Sequence, residues 1–170
     1  KELNIIEQDV FKDGRGSLRI IFNEKLMKKQ KFIFEYCTTS KKESLRGFHF
    51  QYKYQQAKYV SVIKGKILDC VIDLRKNSKT FSKIFKIILS KNNALGLFIP
   101  AGFAHGYYSY DKENIIYYKL NNYYAPKFES GIVYTDPVIN IKWPRKKMIV
   151  SSKDRVLLTI NEFKKKIRFL

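Results

Sequence analysis

The chain contains two histidines, His49 and His105, and they are its best candidates for acid–base chemistry. An imidazole titrates near neutral pH, so either ring could remove a proton from a weak carbon acid. Transition-metal sites in proteins usually need three or four ligands. Because the two histidines are far apart and form no His-x-His pair, the sequence predicts a site without a metal.

His49 lies in residues 46–51, which read RGFHFQ. In a strand, the two phenylalanines face one way, while His49 and Gln51 face the other way with the glycine. This fragment fits a catalytic base and a hydrogen-bonded structural histidine equally well. Strict alternation points Arg46 away from His49, so a site that uses both side chains requires a bend, which Gly47 could provide.

His105 lies in residues 99–106, which read IPAGFAHG, and the proline and glycine predict a turn there. Gly106 would allow another part of the backbone to approach closely. A turn histidine whose ring is satisfied by the backbone fits this fragment as well as a histidine that contacts substrate.

The elements that position these histidines are predicted to be short strands. Period-two alternation is clearest in Lys66–Leu74, Lys83–Ser90 and Asn114–Leu120. Lys64-Gly65 predicts a hairpin turn between two strands. Further strands are predicted in Ser17–Phe22, Phe32–Thr38, Leu45–Gln51, Lys58–Ile63, Ala94–Ile99 and Gly131–Thr135. Many short strands at close spacing indicate an all-β sandwich or barrel.

Helical character is confined to two stretches. Val156–Ile167 has apolar residues at helical spacing, and Glu24–Lys29 predicts a weaker helical turn. Thr38–Ser44 is predicted to be one polar loop, and Trp143–Asp154 a tail that wraps over the barrel. Since no linker, repeat or low-complexity segment interrupts the chain, residues 1–170 are expected to form a single domain.

The composition bounds the class of protein. The chain has 170 residues, of which 45% are apolar, enough for one core. It contains no apolar run of the roughly 20 residues that a membrane-spanning helix needs. The first residues, KELN, give no apolar signal region. Cys37 and Cys70 lie in apolar runs and are predicted to be buried and reduced, so we expect a cytoplasmic protein with no membrane partner.

The formal net charge of +19 comes from 27 lysines and 7 arginines against 15 acidic residues. The lysines are spread along the chain rather than grouped in a basic stripe. That distribution favours a well-solvated surface over a nucleic-acid-binding face, although it would also attract a phosphate-bearing substrate.

Several segments together resemble the dTDP-4-dehydrorhamnose 3,5-epimerase family of metal-independent cupins. Residues 46–51 resemble its RGLHFQ strand, and residues 99–106 are similar to its P-x-G-F-A-H-G segment. Other similar segments follow in the family's order, namely 62–65, 69–75, 78–81, 118–119, 123–124, 129–132, 135–137, 141–144 and 151–154. The resemblance implies a cupin jelly roll with a short C-terminal helix. It also implies a homodimeric epimerase without a cofactor.

The reaction of that family begins from a sugar ketone at C4, which acidifies the protons on C3 and C5. By resemblance, His49 is the base that removes a proton, and Asp154 orients and charges it. Lys58 matches the cation beside the enolate oxygen, and Tyr118 matches the acid that reprotonates carbon. Contacts to the nucleotide-diphosphate sugar are implied for Arg15, Arg46, Gln51, His105, Tyr124, Glu129 and Lys153.

The sequence departs from the family where the nucleotide base is read. The family's F-V-Q-D-N-H-S strand offers Gln and Asn to thymine, whereas residues 32–38 here read FIFEYCT. Phe34 and Tyr36 replace the two amides, and neither can form the paired donor and acceptor contacts of an amide. Ile20 also replaces a glutamate of the first substrate segment. We therefore expect a GDP-linked keto-heptose, used in capsule or lipopolysaccharide synthesis, with dTDP-4-dehydrorhamnose 3,5-epimerase activity as the alternative.

Two rival functions remain open from the sequence. A sugar 3,4-ketoisomerase of the same fold would carry a second histidine where Gln51 stands. A non-catalytic cupin that binds sugar or nucleic acid would fit the net charge and the 15% aromatic content. Convergence of His49, Lys58 and Tyr118 on one cleft is the observation that separates an epimerase from a binding protein.

Overall fold

The computed structural model describes residues 2–27 and 30–166, and its elements are mainly antiparallel strands. The first half contains β1 Asn4–Glu7, β2 Val10–Asp13, β3 Gly16–Arg19, β4 Phe34–Lys41, β5 Ser44–Gln51, β6 Lys58–Lys64 and β7 Lys66–Asp73. The second half contains β8 Ile84–Ser90, β9 Leu95–Ile99, β10 Phe103–Ser109, β11 Glu113–Leu120, β12 Glu129–Gly131, β13 Ile149–Val150, α1 Ser152–Arg155 and α2 Ile160–Lys166. Short 3₁₀ turns span Glu24–Met27 and Pro126–Phe128.

The strands form two facing sheets, so the predicted all-β jelly-roll class is confirmed. One sheet has the order β1-β9-β6-β11-β4. The other has the order β12-β5-β10-β7-β8, and β13 pairs with β5. Strands β2 and β3 pair only with each other. Between the sheets lies an apolar core to which both contribute, with Val60 and Ile116 from one sheet and Ile67 and Val71 from the other.

A second apolar cluster covers the outer face of the sheet that contains β5. Phe48 and Phe50 point into it, and Phe163 of α2 meets Phe50 edge-on with ring centroids 5.6 Å apart. Trp143 packs near Phe48 with ring centroids 6.1 Å apart. The alternation expected in residues 46–51 is thus confirmed for the phenylalanines, and residues 143–154 do wrap over the sheet.

Two predicted connections are wrong, because the chain crosses between sheets at both. Gly65 has the expected positive φ of 83°, but β6 and β7 lie in different sheets, so Lys64-Gly65 is not a hairpin turn. The predicted loop Thr38–Ser44 is mostly strand, since β4 continues to Lys41 and β5 begins at Ser44. Local turn residues identify a change of direction but not the sheet to which the next strand belongs.

Other predicted boundaries also shift. Strand β10 replaces the turn predicted around His105. The proline and glycine that suggested a turn lie just before this fully buried strand begins. The strand predicted in Ser17–Phe22 ends early, at Arg19 of β3, and the strand predicted in Gly131–Thr135 shares only Gly131 with β12. Strands β1 and β2 were not predicted. The C-terminal helix begins at Ile160, because Leu158 bridges to Ile132 instead. Its predicted last residue, Ile167, lies outside the described residues, as do Lys28 and Lys29 of the weaker predicted turn.

The two cysteines have different environments. Cys70 is fully buried as predicted, and burial raises the pKa of its thiol. Cys37 is exposed on β4, so the prediction that it is buried is wrong. Alternation along β4 places its side chain on the outward face. No helix in the described part of the chain is long and apolar enough to cross a membrane.

Candidate active site

A cleft of about 500 Å³ opens between the two sheets at one end of the sandwich. Both sheets and the C-terminal tail contribute to it, and most of the residues that the sequence singled out lie together here. The predicted residues that line the cleft are Arg46, His49, Lys58, His105, Tyr118, Lys153 and Asp154.

His49 and Asp154 form a hydrogen-bonded pair at the cleft wall. The Nε2–H group of His49 donates to Oδ1 of Asp154 at 2.7 Å, and the carboxylate is almost completely buried. Burial alone would raise the pKa of Asp154, but the hydrogen bond and charge of His49 outweigh it and lower that pKa. Because the carboxylate holds Nε2, the Nδ1 atom of His49 is the nitrogen left for a substrate proton.

Asp154 is itself fixed by two hydrogen bonds, one to its carboxylate and one from its own backbone amide. The amide of Gly47 donates to Oδ2 of Asp154 at 3.2 Å. Ser151 caps α1, and its hydroxyl accepts the backbone N–H of Asp154 at 3.1 Å. The acid is therefore held by the strand that carries the base and by the start of α1, so the His49 ring has one defined orientation.

Gly47 supplies the bend that the sequence required. It has a φ of +110°, and the β5–β10 pairing shifts register there, from His105 opposite His49 to Tyr107 opposite Arg46. Such a bulge adds one residue to one strand and reverses the side to which the next residue points. A Cβ at this position would lie 2.6 Å from Cα of Gly106, so a larger residue would clash. The bulge brings Arg46 and His49 to the same cleft.

His105 belongs to a second, deeper histidine–carboxylate pair. Its Nε2–H group donates to Oδ2 of Asp69 at 2.8 Å, and Asp69 is completely buried on β7. The other oxygen, Oδ1, has no hydrogen-bond partner among the described residues. Asp69 was not among the residues predicted to act in the site. Alternation along β7 places Asp69 on the other face of the strand from Leu68 and Cys70, and hence inside the sandwich. That pattern could have identified it.

Lys58 enters the cleft from β6 and is partly buried. Burial lowers the pKa of its ammonium to about 8, although attraction to Glu129 and Asp69 acts in the opposite direction. No ion pair to Lys58 occurs within the described ranges 2–27 and 30–166. A cation without a fixed partner can respond to negative charge that develops on a substrate oxygen.

Tyr118 lies across the cleft on β11 and is 4% exposed. Burial raises the pKa of its phenol well above the ordinary value, and the neighbouring Tyr107 and Tyr36 act in the same direction. The phenol therefore remains protonated throughout the neutral range and can donate a proton without prior activation.

A polar group at the rim joins Lys153 to two further predicted residues, Glu129 and Tyr124. Lys153 forms an ion pair with Glu129, and the hydroxyl of Tyr124 donates to Oε2 of Glu129 at 2.9 Å. Burial would raise the pKa of Glu129, but the hydrogen bond from Lys153 and the charge of His49 lower it. Tyr124 itself is about half exposed, which leaves its ring accessible to a bound molecule.

Two predicted substrate contacts lie outside this cleft. Gln51 is buried, and its amide bonds the backbone of Tyr54 and Ala125 at 2.8 Å each, so it positions the loop before β12 instead. Arg15 is at the tip of the β2–β3 hairpin, where its side chain is 92% exposed and pairs with Asp13. Within one copy of the chain, neither residue reaches the cleft.

The described residues contain no group of three or more His, Cys, Asp or Glu side chains that could hold a metal ion. Prolonged dialysis against EDTA should therefore leave the turnover rate within about twofold of the untreated enzyme, since acid–base groups suffice. A rate assay before and after dialysis tests this. Loss of activity that a single divalent ion restores would contradict it.

Comparison with known proteins places these residues in a family context. The sequence model of the dTDP-4-dehydrorhamnose 3,5-epimerase family matches residues 1–162. A dTDP-4-dehydrorhamnose 3,5-epimerase of Methanothermobacter thermautotrophicus is 40% identical over 158 residues, which cover 89% of this chain and 85% of that protein.

Solved structures give the same result. A dTDP-4-dehydrorhamnose 3,5-epimerase of Bacillus anthracis with TDP and pyrophosphate bound has a TM-score of 0.90 and 34% identity, covering 93% of this chain and 94% of that one. A dTDP-6-deoxy-D-glucose-3,5-epimerase of Legionella pneumophila in complex with dTDP-4-keto-L-rhamnose has a TM-score of 0.89 and 36% identity, covering 94% and 88%.

Proposed function

Because the chain belongs to the dTDP-4-dehydrorhamnose 3,5-epimerase family and is an isomerase, we propose that it inverts C3 and C5 of a dTDP-linked 4-keto-6-deoxy sugar. The observation that carries this proposal is the convergence of a carboxylate-paired histidine, an unpaired lysine and a protonated tyrosine on one cleft. A binding protein has no need of that set. The same convergence argues against the non-catalytic alternative.

The residues divide the work of each inversion. Nδ1 of His49 takes the proton from the carbon next to the ketone, and Asp154 stabilises the imidazolium that results. The ketone oxygen becomes an enolate, whose charge the Lys58 ammonium balances. At C5, Tyr118, across the cleft, then delivers a proton to the opposite face of the carbon. The electron pair of the enolate forms the new C–H bond and the C4 ketone returns.

The expected GDP-linked keto-heptose is not supported. The solved relatives described above contain TDP or a dTDP-linked keto sugar, and they favour the alternative that the sequence left open. The loss of two amides at Phe34 and Tyr36 therefore does not by itself indicate a change of nucleotide. The cationic side chains of Arg46 and Lys153 at the mouth of the cleft suit the diphosphate.

We also propose that the enzyme acts as a homodimer in the cytoplasm and serves cell-surface polysaccharide synthesis. The support for a dimer is the β2–β3 hairpin, which joins neither sheet and exposes Phe11 and Leu18 at 60% and 61%. Arg15 at its tip is far from its own cleft, so the arginine can serve as a substrate contact only in a second copy.

The experiment that tests the function is proton exchange in heavy water. Purified enzyme is incubated with dTDP-4-keto-6-deoxyglucose and, separately, with its GDP-linked counterpart, and NMR locates the deuterium. We expect deuterium at C3 and C5 of the dTDP sugar. Faster exchange of the GDP-linked sugar would restore the earlier expectation, and no exchange in either would overturn the function.

The role of Tyr118 gives a separate prediction. Tyr118→Phe should leave deuterium exchange at C3 intact but reduce inversion at C5 by about 10²–10⁴-fold, the usual contribution of a positioned acid. The product should then be inverted mainly at C3, as NMR coupling constants would report. Tyr117→Phe is a matched control, because the neighbouring Tyr117 bonds Glu35 on the outer face of β11. Normal double inversion by the Tyr118 variant would make Tyr118 a packing residue.

A further inference from the structure

Tyr118 can act as an acid only if its own hydroxyl hydrogen points into the cleft rather than toward a neighbouring acceptor. Its ring is packed by Tyr36, which lies opposite it in the pairing of β4 with β11, with ring centroids 4.9 Å apart. Packing of the ring does not decide where the hydrogen points, because a hydroxyl rotates to suit its hydrogen-bond partners. The groups around the Tyr118 oxygen therefore determine whether the phenol can donate to a substrate.

A row of hydroxyl groups between the two sheets leads from Arg46 to Tyr118. The Nε–H group of Arg46 donates to Oγ of Ser40 at 3.0 Å, and this oxygen lies 2.9 Å from the hydroxyl of Tyr107. The Tyr107 hydroxyl lies 3.0 Å from Oγ1 of Thr38. Thr38 in turn lies beside Tyr118, where its hydrogen bond to the phenol oxygen offsets part of the rise in pKa that burial causes. The guanidinium is thus connected to the acid.

The guanidinium of Arg46 gives this row a direction, because it can donate hydrogen bonds but cannot accept them. If every hydroxyl donates away from it, Ser40 donates to Tyr107, and Thr38 at the far end donates to Tyr118. In the opposite direction, the hydrogen of Ser40, which is 3% exposed, would have no acceptor among the described residues. A buried polar group without a partner is costly, so the first direction is favoured. In that direction, the Tyr118 oxygen accepts and its own hydrogen is left for the cleft.

We propose that Thr38 is a positioning residue for the acid: its hydroxyl, directed by the row that begins at Arg46, donates to the Tyr118 oxygen and turns the phenol hydrogen toward the second carbon to be inverted. The proposal rests on the function proposed above. Delivery breaks the Tyr118 O–H bond and forms the C5–H bond with the electron pair of the enolate. The phenolate that remains keeps the hydrogen bond from Thr38 until solvent reprotonates it. Because a guanidinium does not release a proton in proteins, the row directs the acid and stabilises the phenolate but supplies no proton.

The hydroxyl of Thr38 is the part that this role requires, so the decisive variant is Thr38→Val, which keeps the branched shape and removes the hydroxyl. With dTDP-4-keto-6-deoxyglucose in heavy water, NMR gives deuterium exchange at C3 and inversion at C5. Exchange at C3 depends on His49 and reports that the variant is folded. We expect Thr38→Val to lower C5 inversion relative to C3 exchange by about 10–100-fold, the range of a hydrogen bond to a charged group.

Other variants provide matched comparisons. Thr38→Ser, the residue that the family's strand carries at this position, keeps the hydroxyl and should keep the wild-type ratio. Thr39→Val makes the same change one residue along, where the side chain is exposed on the other face of β4, and should leave both quantities unchanged. Tyr107→Phe keeps the Thr38 hydroxyl but removes its acceptor, so that hydroxyl can point either way and the ratio should fall by roughly twofold.

The outcomes separate the two proposals. A wild type that exchanges neither proton overturns both the function and the role of Thr38. An active wild type with the same ratio in Thr38→Val overturns the role of Thr38 alone. An equal loss of both quantities in that variant would indicate a structural effect and would also overturn it. An unchanged ratio in Tyr107→Phe would overturn the direction assigned to the row. If Thr38→Val fails to fold, Thr38→Ala gives the ratio instead.

Discussion

Replacing His49 with alanine should reduce turnover of the dTDP-linked keto sugar by about 10²–10⁴-fold, because it removes the base that begins each inversion. The ring is held by Asp154 and presents Nδ1 to the cleft. Its side chain is 28% exposed, whereas that of His105, the other histidine of the cleft, is 5% exposed. The assay is the rate of deuterium entry at C3, measured by NMR.

Binding distinguishes loss of the base from loss of the fold. Calorimetry should find dTDP affinity of the His49→Ala variant within a few-fold of the wild type, since the proposed diphosphate contacts lie elsewhere. Asp154→Asn provides a graded comparison, because it keeps a hydrogen-bonding side chain but removes the charge that stabilises the imidazolium. Its rate should lie between those of the wild type and the alanine variant. Normal exchange at C3 without His49 would assign the base to another residue.

Lys58→Met should also be severe, with a loss of about 10²–10³-fold in kcat, because the enolate loses the charge that balances it. The pH profile gives the sharper evidence. With the pKa of Lys58 lowered to about 8, the wild type should lose activity as the pH rises through 8 and the ammonium deprotonates. The methionine variant should lack that loss of activity at high pH. A profile of kcat/KM over roughly two pH units on either side of the Lys58 pKa would show the difference.

The same lowered pKa has a consequence for stability. Between about pH 8 and the ordinary lysine value, the unfolded chain binds the proton more tightly than the folded chain does. The contribution of Lys58 to the free energy of unfolding therefore becomes more favourable as the pH rises through that window. At pH 7, Lys58→Met should be at least as stable as the wild type in urea denaturation, despite its low activity. A clearly lower midpoint would show that the ammonium stabilises the fold.

Much of the site could be predicted from the sequence, because its residues occur within recognisable segments. His49, Asp154, Lys58 and Tyr118 do converge, and the bend at Gly47 was required by the alternation of its strand. Asp69 was missed, because a single carboxylate between apolar residues has no local partner to suggest a role. Its partner His105 comes from a neighbouring strand that follows much later in the chain.

The less predictable features depend on which strands become neighbours. The stacking of Tyr36 on Tyr118 follows from the register of β4 with β11, which no local pattern specifies. The change of sheet at Gly65 is equally invisible to turn preferences. The distance between Arg15 and the cleft also follows only from the hairpin's separation from both sheets.

The pairing of His49 with Asp154 joins residues 105 positions apart, and this separation has a consequence for synthesis on the ribosome. The strands of both sheets emerge before Asp154 does, so much of the sandwich can begin to assemble while the base still lacks its carboxylate. A nascent or prematurely terminated chain that ends before α1 would have a cleft but an unoriented His49. Catalytic competence is therefore acquired only after Asp154 has been synthesised and the segment that carries it closes over β5.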